Sequence, residues 1–148
     1  MAAVDVVDQY VSALPSGGRR LAHAEWGITV PAESMGGHPL DVGLRIADGI
    51  LRAQAVALPG AGDLDAWMLL WWNRQTRMVR FGCTRDRDVW VHADLPLCRV
   101  GSPGSSVEWT VDERGVDRLL GLVAEAATAV RDYANRARAA PESQPPAP

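Results

Sequence analysis

Apolar positions fall in three rhythms along this chain, and each rhythm predicts a different element. Val4, Val7, Val11 and Leu14 recur every three or four residues, which aligns them on one face of a helix, and Pro15-Ser16-Gly17-Gly18 ends the run. Leu21 to Val30 predicts a first strand closed by Pro31, and Ser34 to Pro39, with Gly36-Gly37 inside it, predicts a loop. At Leu40 the rhythm becomes two. Leu40, Val42, Leu44 and Ile46 alternate with Asp41, Gly43 and Arg45, as a strand with one buried face requires. Asp48-Gly49 signals a two-residue hairpin, and Ile50 to Leu58 returns as the partner strand before Pro59-Gly60.

A second helical stretch follows. Asp63 is placed to cap it, Asp65 sits in the first turn at the positive end of the helix dipole, and Leu64, Trp67, Met68 and Trp71 share one face. Val79, Phe81 and Cys83 alternate, then Val89, Val91, Ala93 and Leu95, with Arg85-Asp86-Arg87-Asp88 as the polar turn between two strands. Ser102 to Ser106 reads as a connector. Thr110 with Glu113 predicts a capping box for a long amphipathic helix carrying Val116, Leu119, Leu120, Val123, Ala127, Val130 and Tyr133. Arg131, Arg136 and Arg138 suit the negative end of that helix, which should finish around Ala139-Ala140.

The predicted order is α-β-β-β-α-β-β-α. It is an α+β domain, with an antiparallel sheet of about five strands and the helices collected on one face. One domain is expected over residues 1–140, and the proline-rich segment 141–148 should be extended or disordered.

The length of 148 residues allows one real core, and 47% hydrophobic with 22% charged residues fits a globular class. A net charge of −3 gives no electrostatic reason to expect nucleic acid or an anionic membrane as partner. All fifteen basic residues are Arg, which with the abundant Ala, Gly and Pro reflects a GC-rich bacterial coding sequence. Met1 to Asp8 holds two acids and no basic segment, so no signal peptide is expected. No apolar run is long enough to span a membrane, and the expected compartment is the cytoplasm. There, Cys83 and Cys98 should remain two free thiols.

Several segments together resemble a known family. They are Leu69-Leu70 through Asn73, Val79-Arg80-Phe81, Asp88-Val89-Trp90-Val91, Asp94-Leu95-Pro96-Leu97 and Asp117-Arg118-Leu119-Leu120-Gly121. Their order and spacing over Trp26 to Tyr133 are similar to the YbjN-like domains, which share the type III secretion chaperone fold, and closer to actinobacterial members. Trp71-Trp72 is heavier than that pattern. The resemblance implies a non-enzymatic dimer that holds an extended segment of a partner protein.

Candidate chemistry is sparse. His23 with Glu25 and His92 with Asp94 have the spacing to orient an imidazole, but no HxH, HExxH or CxxC motif accompanies them, and no metal or cofactor is expected. Arg85 and Arg87 interrupt the acids Asp86, Asp88 and Asp94, so no calcium loop is expected. Gly101-Ser102-Pro103-Gly104-Ser105 is not a nucleophile turn, and Gly36-Gly37 does not open a helix. The tryptophans remain. Trp67 and Trp71 are expected in the core. Trp72, about 100° from Trp71 on a helix, then needs a second cover such as another subunit. Trp90 and His92 should face outward from the sheet as a docking surface. The expectation is a homodimeric protein- or peptide-binding module using Trp67, Trp71, Trp72, Trp90 and His92. The alternatives are an accessory subunit of a biosynthetic or secretion complex, or a small enzyme using His92 and Asp94.

Overall fold

The computed structural model describes residues 1–60 and 64–139. Helix α1 (Ala3–Ser12) leads into strands β1 (Gly18–Ala22), β2 (Glu25–Val30), β3 (Leu40–Ala47) and β4 (Ile50–Leu58), with a single 3₁₀ turn at Ala32–Ser34. Helix α2 (Ala66–Gln75) precedes β5 (Val79–Cys83), β6 (Val89–Pro96), β7 (Cys98–Val100) and β8 (Glu108–Thr110), and helix α3 (Glu113–Ala139) ends the described chain. The fold is α+β. Strands β1 to β6 form one antiparallel sheet in the order β1-β2-β3-β4-β6-β5, while β7 and β8 pair separately.

The Asp48-Gly49 hairpin forms as expected. Both residues have positive φ, 52° and 72°, as the tight turn matched to strand twist requires. Gly49 has a second reason to be glycine. The Trp109 indole of β8 lies so close that any Cβ there would collide with it, so the small β7-β8 hairpin is packed onto this turn.

The single strand expected from Leu21 to Val30 is instead two, β1 and β2, and β1 begins earlier, at Gly18. His23-Ala24 makes the turn, with Ala24 at φ 57°. No glycine, asparagine or aspartate marks it, so the usual local signature is missing. The strand count rises accordingly, and β7 and β8 add a short hairpin whose loop contains the expected connector Ser102–Ser106.

Alternation sets the faces. Trp26, Ile28, Val42, Leu44, Leu51, Ala53, Val91 and Ala93 all point to one side and are buried, and the helices lie against that side. Helix α3 crosses β4 and β6 and buries eight residues from Val116 to Ala134 along one stripe. Its start differs from the expected capping box. Asp112, not Thr110, accepts the Gly115 N–H through Oδ1 at 2.7 Å, and Thr110 belongs to β8. The helix runs to Ala139 as its arginines suggested, and the expected tail at 141–148 lies outside the described residues.

Two polar tethers fix the outer helices. Asp8 of α1 accepts the Trp26 indole N–H at 2.6 Å and an Arg20 guanidinium N–H at 2.8 Å, joining α1 to β1 and β2. Trp26 is only 1% exposed, so this hydrogen bond lets the largest buried side chain keep its polar atom satisfied. At the far edge, Asn73 of α2 donates to the Phe81 carbonyl at 2.9 Å and accepts the Phe81 N–H at 2.7 Å, while Thr76 donates to the Val79 carbonyl at 2.6 Å. These bonds occupy the Phe81 N–H and carbonyl and the Val79 carbonyl, so α2 covers that part of the sheet edge against strand addition.

Candidate functional site

Helix α2 begins at Asp65, whose carboxylate accepts the Trp67 N–H at 3.0 Å; Asp63 lies outside the described residues. The run Trp67-Met68-Leu69-Leu70-Trp71-Trp72 is apolar at six consecutive positions, so periodicity alone cannot say which side faces the sheet. Asn73 decides it. Its paired hydrogen bonds to Phe81 turn Leu69 and Trp72 inward. Leu69 is buried. Trp72 wedges between Phe81 and Tyr133, with ring centroids 5.3 and 5.5 Å away.

The expected assignment of the helix faces is therefore corrected. Trp67 and Trp71, expected in the core, are 76% and 56% exposed, and Leu70 beside them is 59% exposed. Trp72, expected to need a partner's cover, is half-buried and packs against the core. The helix is rotated by about one residue, roughly 100°, from the stripe Leu64-Trp67-Met68-Trp71. Asp65, Trp67, Met68, Leu70 and Trp71 line an open hollow of about 560 Å³ on this exposed face.

The expected partners Trp90 and His92 sit elsewhere. Both are half-buried on the sheet face away from the helices, with their rings stacked at 6.0 Å and 20°. Strand alternation delivers this, since Val89 and Val91 point inward. Asp94 does not orient His92, because both its carboxylate oxygens accept from Arg52 across the strand pair, at 2.7 and 2.9 Å. That hydrogen-bonded pair holds the Asp94 carboxyl below its usual range. Partial burial, and then the Arg52 charge, lower the His92 pKa from its ordinary value, with Asp94 pulling weakly the other way. The pairing needed for a His92-Asp94 acid–base couple is not made. Likewise His23 lies 3.3 Å from an Arg20 nitrogen while Glu25 meets Arg45 at 3.4 Å, so those two are divided between different partners. Among the described residues no group of three His, Cys, Asp or Glu side chains is placed to hold a metal ion. Cys83 and Cys98 are free and exposed, at opposite ends of β6 through their neighbours in register and sequence.

Sequence reasoning missed Arg131. Pairing between β3 and β4 stops at Val42 and Ala55, and the strands part beyond it. The Arg131 guanidinium of α3 bridges the parting, donating to the carbonyls of Ala57 at 2.9 Å, His38 at 2.8 Å and Pro39 at 3.0 Å. A cleft of about 910 Å³ opens there, lined by residues of both sheet faces, Trp90 and Gln54 among them. The sequence placed Arg131 near a helix end, where a dipole argument accounted for it. Nothing local signalled its reach to carbonyls 74 to 93 residues away.

No family model, curated protein or solved structure matches this chain. No described helix is long and apolar enough to cross a membrane.

Proposed function

We propose that this chain is a non-enzymatic protein-binding module of the YbjN-like, secretion-chaperone-like kind, and that α2 is its docking helix. One observation carries the reading. Trp67, Leu70 and Trp71 form a contiguous apolar face in water, although α2 already meets its packing needs through Leu69 and Trp72. Their exposed area is on the order of 400 Å², at the size where patches on single chains mark interaction sites. Tryptophan is also the side chain most enriched among residues that dominate binding energy.

The rest of the site supports binding over turnover. Asp94 is committed to Arg52, and the exposed tryptophans stand away from His92 on a different part of the fold. The antiparallel sheet backed by helices is the layout that the resemblance implies. Exposed free thiols suit a reducing compartment, so the cytoplasm is the proposed location.

The test is photocrosslinking in cells of the native type, with a benzophenone side chain replacing Trp71. Discrete protein adducts are expected, absent when the same probe replaces the exposed Arg19 on β1. A probe at Trp71 that yields no more adducts than the one at Arg19 would end the proposal.

A further inference from the structure

Where β3 and β4 part, the opening is lined by charges of both signs. Leu40 and Asp41 of β3 pair with Val30 and Thr29 of β2, and Val56 and Leu58 of β4 pair with Trp90 and Val89 of β6. None of these four residues of β3 and β4 pairs across the gap between the two strands. Three carbonyls beside the gap are met by Arg131 alone, which commits three of its five N–H donors to Ala57, His38 and Pro39. Carbonyls carry no net charge, so this half-buried guanidinium keeps two donors and an unmatched positive charge. It makes no ion pair among the described residues, and partial burial lowers its pKa from the ordinary value.

Three further side chains of α3 line the same cleft of about 910 Å³. Asp132, Asn135 and Arg138 follow Arg131 within about two helical turns. None of the three makes a side-chain hydrogen bond or ion pair among the described residues. From β3, Asp41 also lines the cleft, with Oδ1 accepting the Thr29 hydroxyl at 2.8 Å and its other oxygen left over. Trp90 supplies an indole, and no residue of α2 takes part.

We propose that this cleft binds a free amino acid with an apolar or aromatic side chain. The carboxylate meets Arg131 and Arg138, the ammonium meets Asp41 and Asp132, and the side chain lies against Trp90. The balance of charge selects this class. A ligand carrying only an anion would sit beside two carboxylates, and one carrying only a cation beside two guanidiniums, whereas a zwitterion satisfies both. Guanidinium suits the carboxylate because its parallel N–H groups can meet both oxygens. The volume falls in the roughly 300–1,000 Å³ range of small-molecule sites. Arg131 already holds the opening in place, so little ordering is needed on binding.

Three probes with a common phenyl body test this on the full chain, followed by NMR at the Trp90 indole N–H. Phenylalanine carries both charges, hydrocinnamate only the anion and phenethylamine only the cation. Phenylalanine should bind with a Kd of about 1 mM or tighter, and each single-charge probe at least roughly ten-fold more weakly. Arg138→Ala should weaken phenylalanine about five-fold or more and leave phenethylamine unchanged, while Asp132→Asn should weaken phenylalanine and leave hydrocinnamate unchanged. No shift with phenylalanine at about 10 mM would overturn the proposal. So would a single-charge probe that binds as tightly as phenylalanine, or phenylalanine binding that neither substitution alters.

Discussion

Helices α2 and α3 lie on the same sheet and bury very different shares of themselves. Over 27 residues α3 presents one apolar stripe with eight buried side chains and keeps its charges on the other side. The ten residues of α2 bury one side chain fully and leave two tryptophans and a leucine in water. In α3 the hydrophobic pattern and the packing agree, so one surface has one purpose. In α2 apolar residues surround the helix. One side is claimed by a polar anchor, and the surplus on the other has no use within the described chain. On the proposed reading, that surplus is the docking face.

Substitutions in the two helices should separate these purposes. The largest effect is expected for Leu119→Ala in α3, a fully buried position where truncation leaves a cavity and costs about 2–5 kcal/mol in chemical denaturation. Trp72→Ala should come close behind, at roughly 3 kcal/mol, because it empties the space between Phe81 and Tyr133. Asn73→Ala should lose about 1–3 kcal/mol by stranding the Phe81 backbone groups, and amide exchange at Phe81 should accelerate with it. If Asn73→Ala left both unchanged, the account of how α2 chooses its face would be wrong.

A smaller effect is expected on the outer sheet face. There the lowered His92 pKa means that the unfolded chain binds a proton more readily than the folded one, so stability rises with pH through that range and falls below it. The lowered Asp94 carboxyl acts in the same direction at more acid pH. Arg52→Ala removes a repelling charge from His92 and the partner of Asp94, so an NMR titration should find both pKa values raised. Unchanged values would show that the Arg52 pairing does not govern this face.

The contrast between the helices also explains what the sequence could tell. Val116 to Tyr133 announced α3 because its apolar residues keep helical spacing over many turns. The sheet was legible where residues alternated, from Leu40 to Ile46 and from Val89 to Leu95, and at the Asp48-Gly49 turn. The β1-β2 hairpin was not, since His23-Ala24 carries no turn residue and Ala24 adopts a positive φ that its side chain does not advertise. The rotation of α2 was not legible either. Six consecutive apolar residues leave the face to a long-range event, the meeting of Asn73 with Phe81. The same ambiguity put Trp67 and Trp71 in the expected core and Trp72 outside it, the reverse of where the structure places them. Trp90 and His92 were placed on the correct sheet face because strand alternation has only two answers.

The most direct measurement sets two adjacent residues side by side. Trp71→Ser and Trp72→Ser should be unfolded by denaturant, and the protein adducts formed by a benzophenone probe at the exposed Leu70 followed in each. The account predicts that Trp71→Ser keeps wild-type stability to within about 0.5 kcal/mol and loses the adducts, while Trp72→Ser loses several kcal/mol. Greater instability for Trp71→Ser than for Trp72→Ser would contradict it, showing that Trp71 belongs to the core and that α2 offers no docking face.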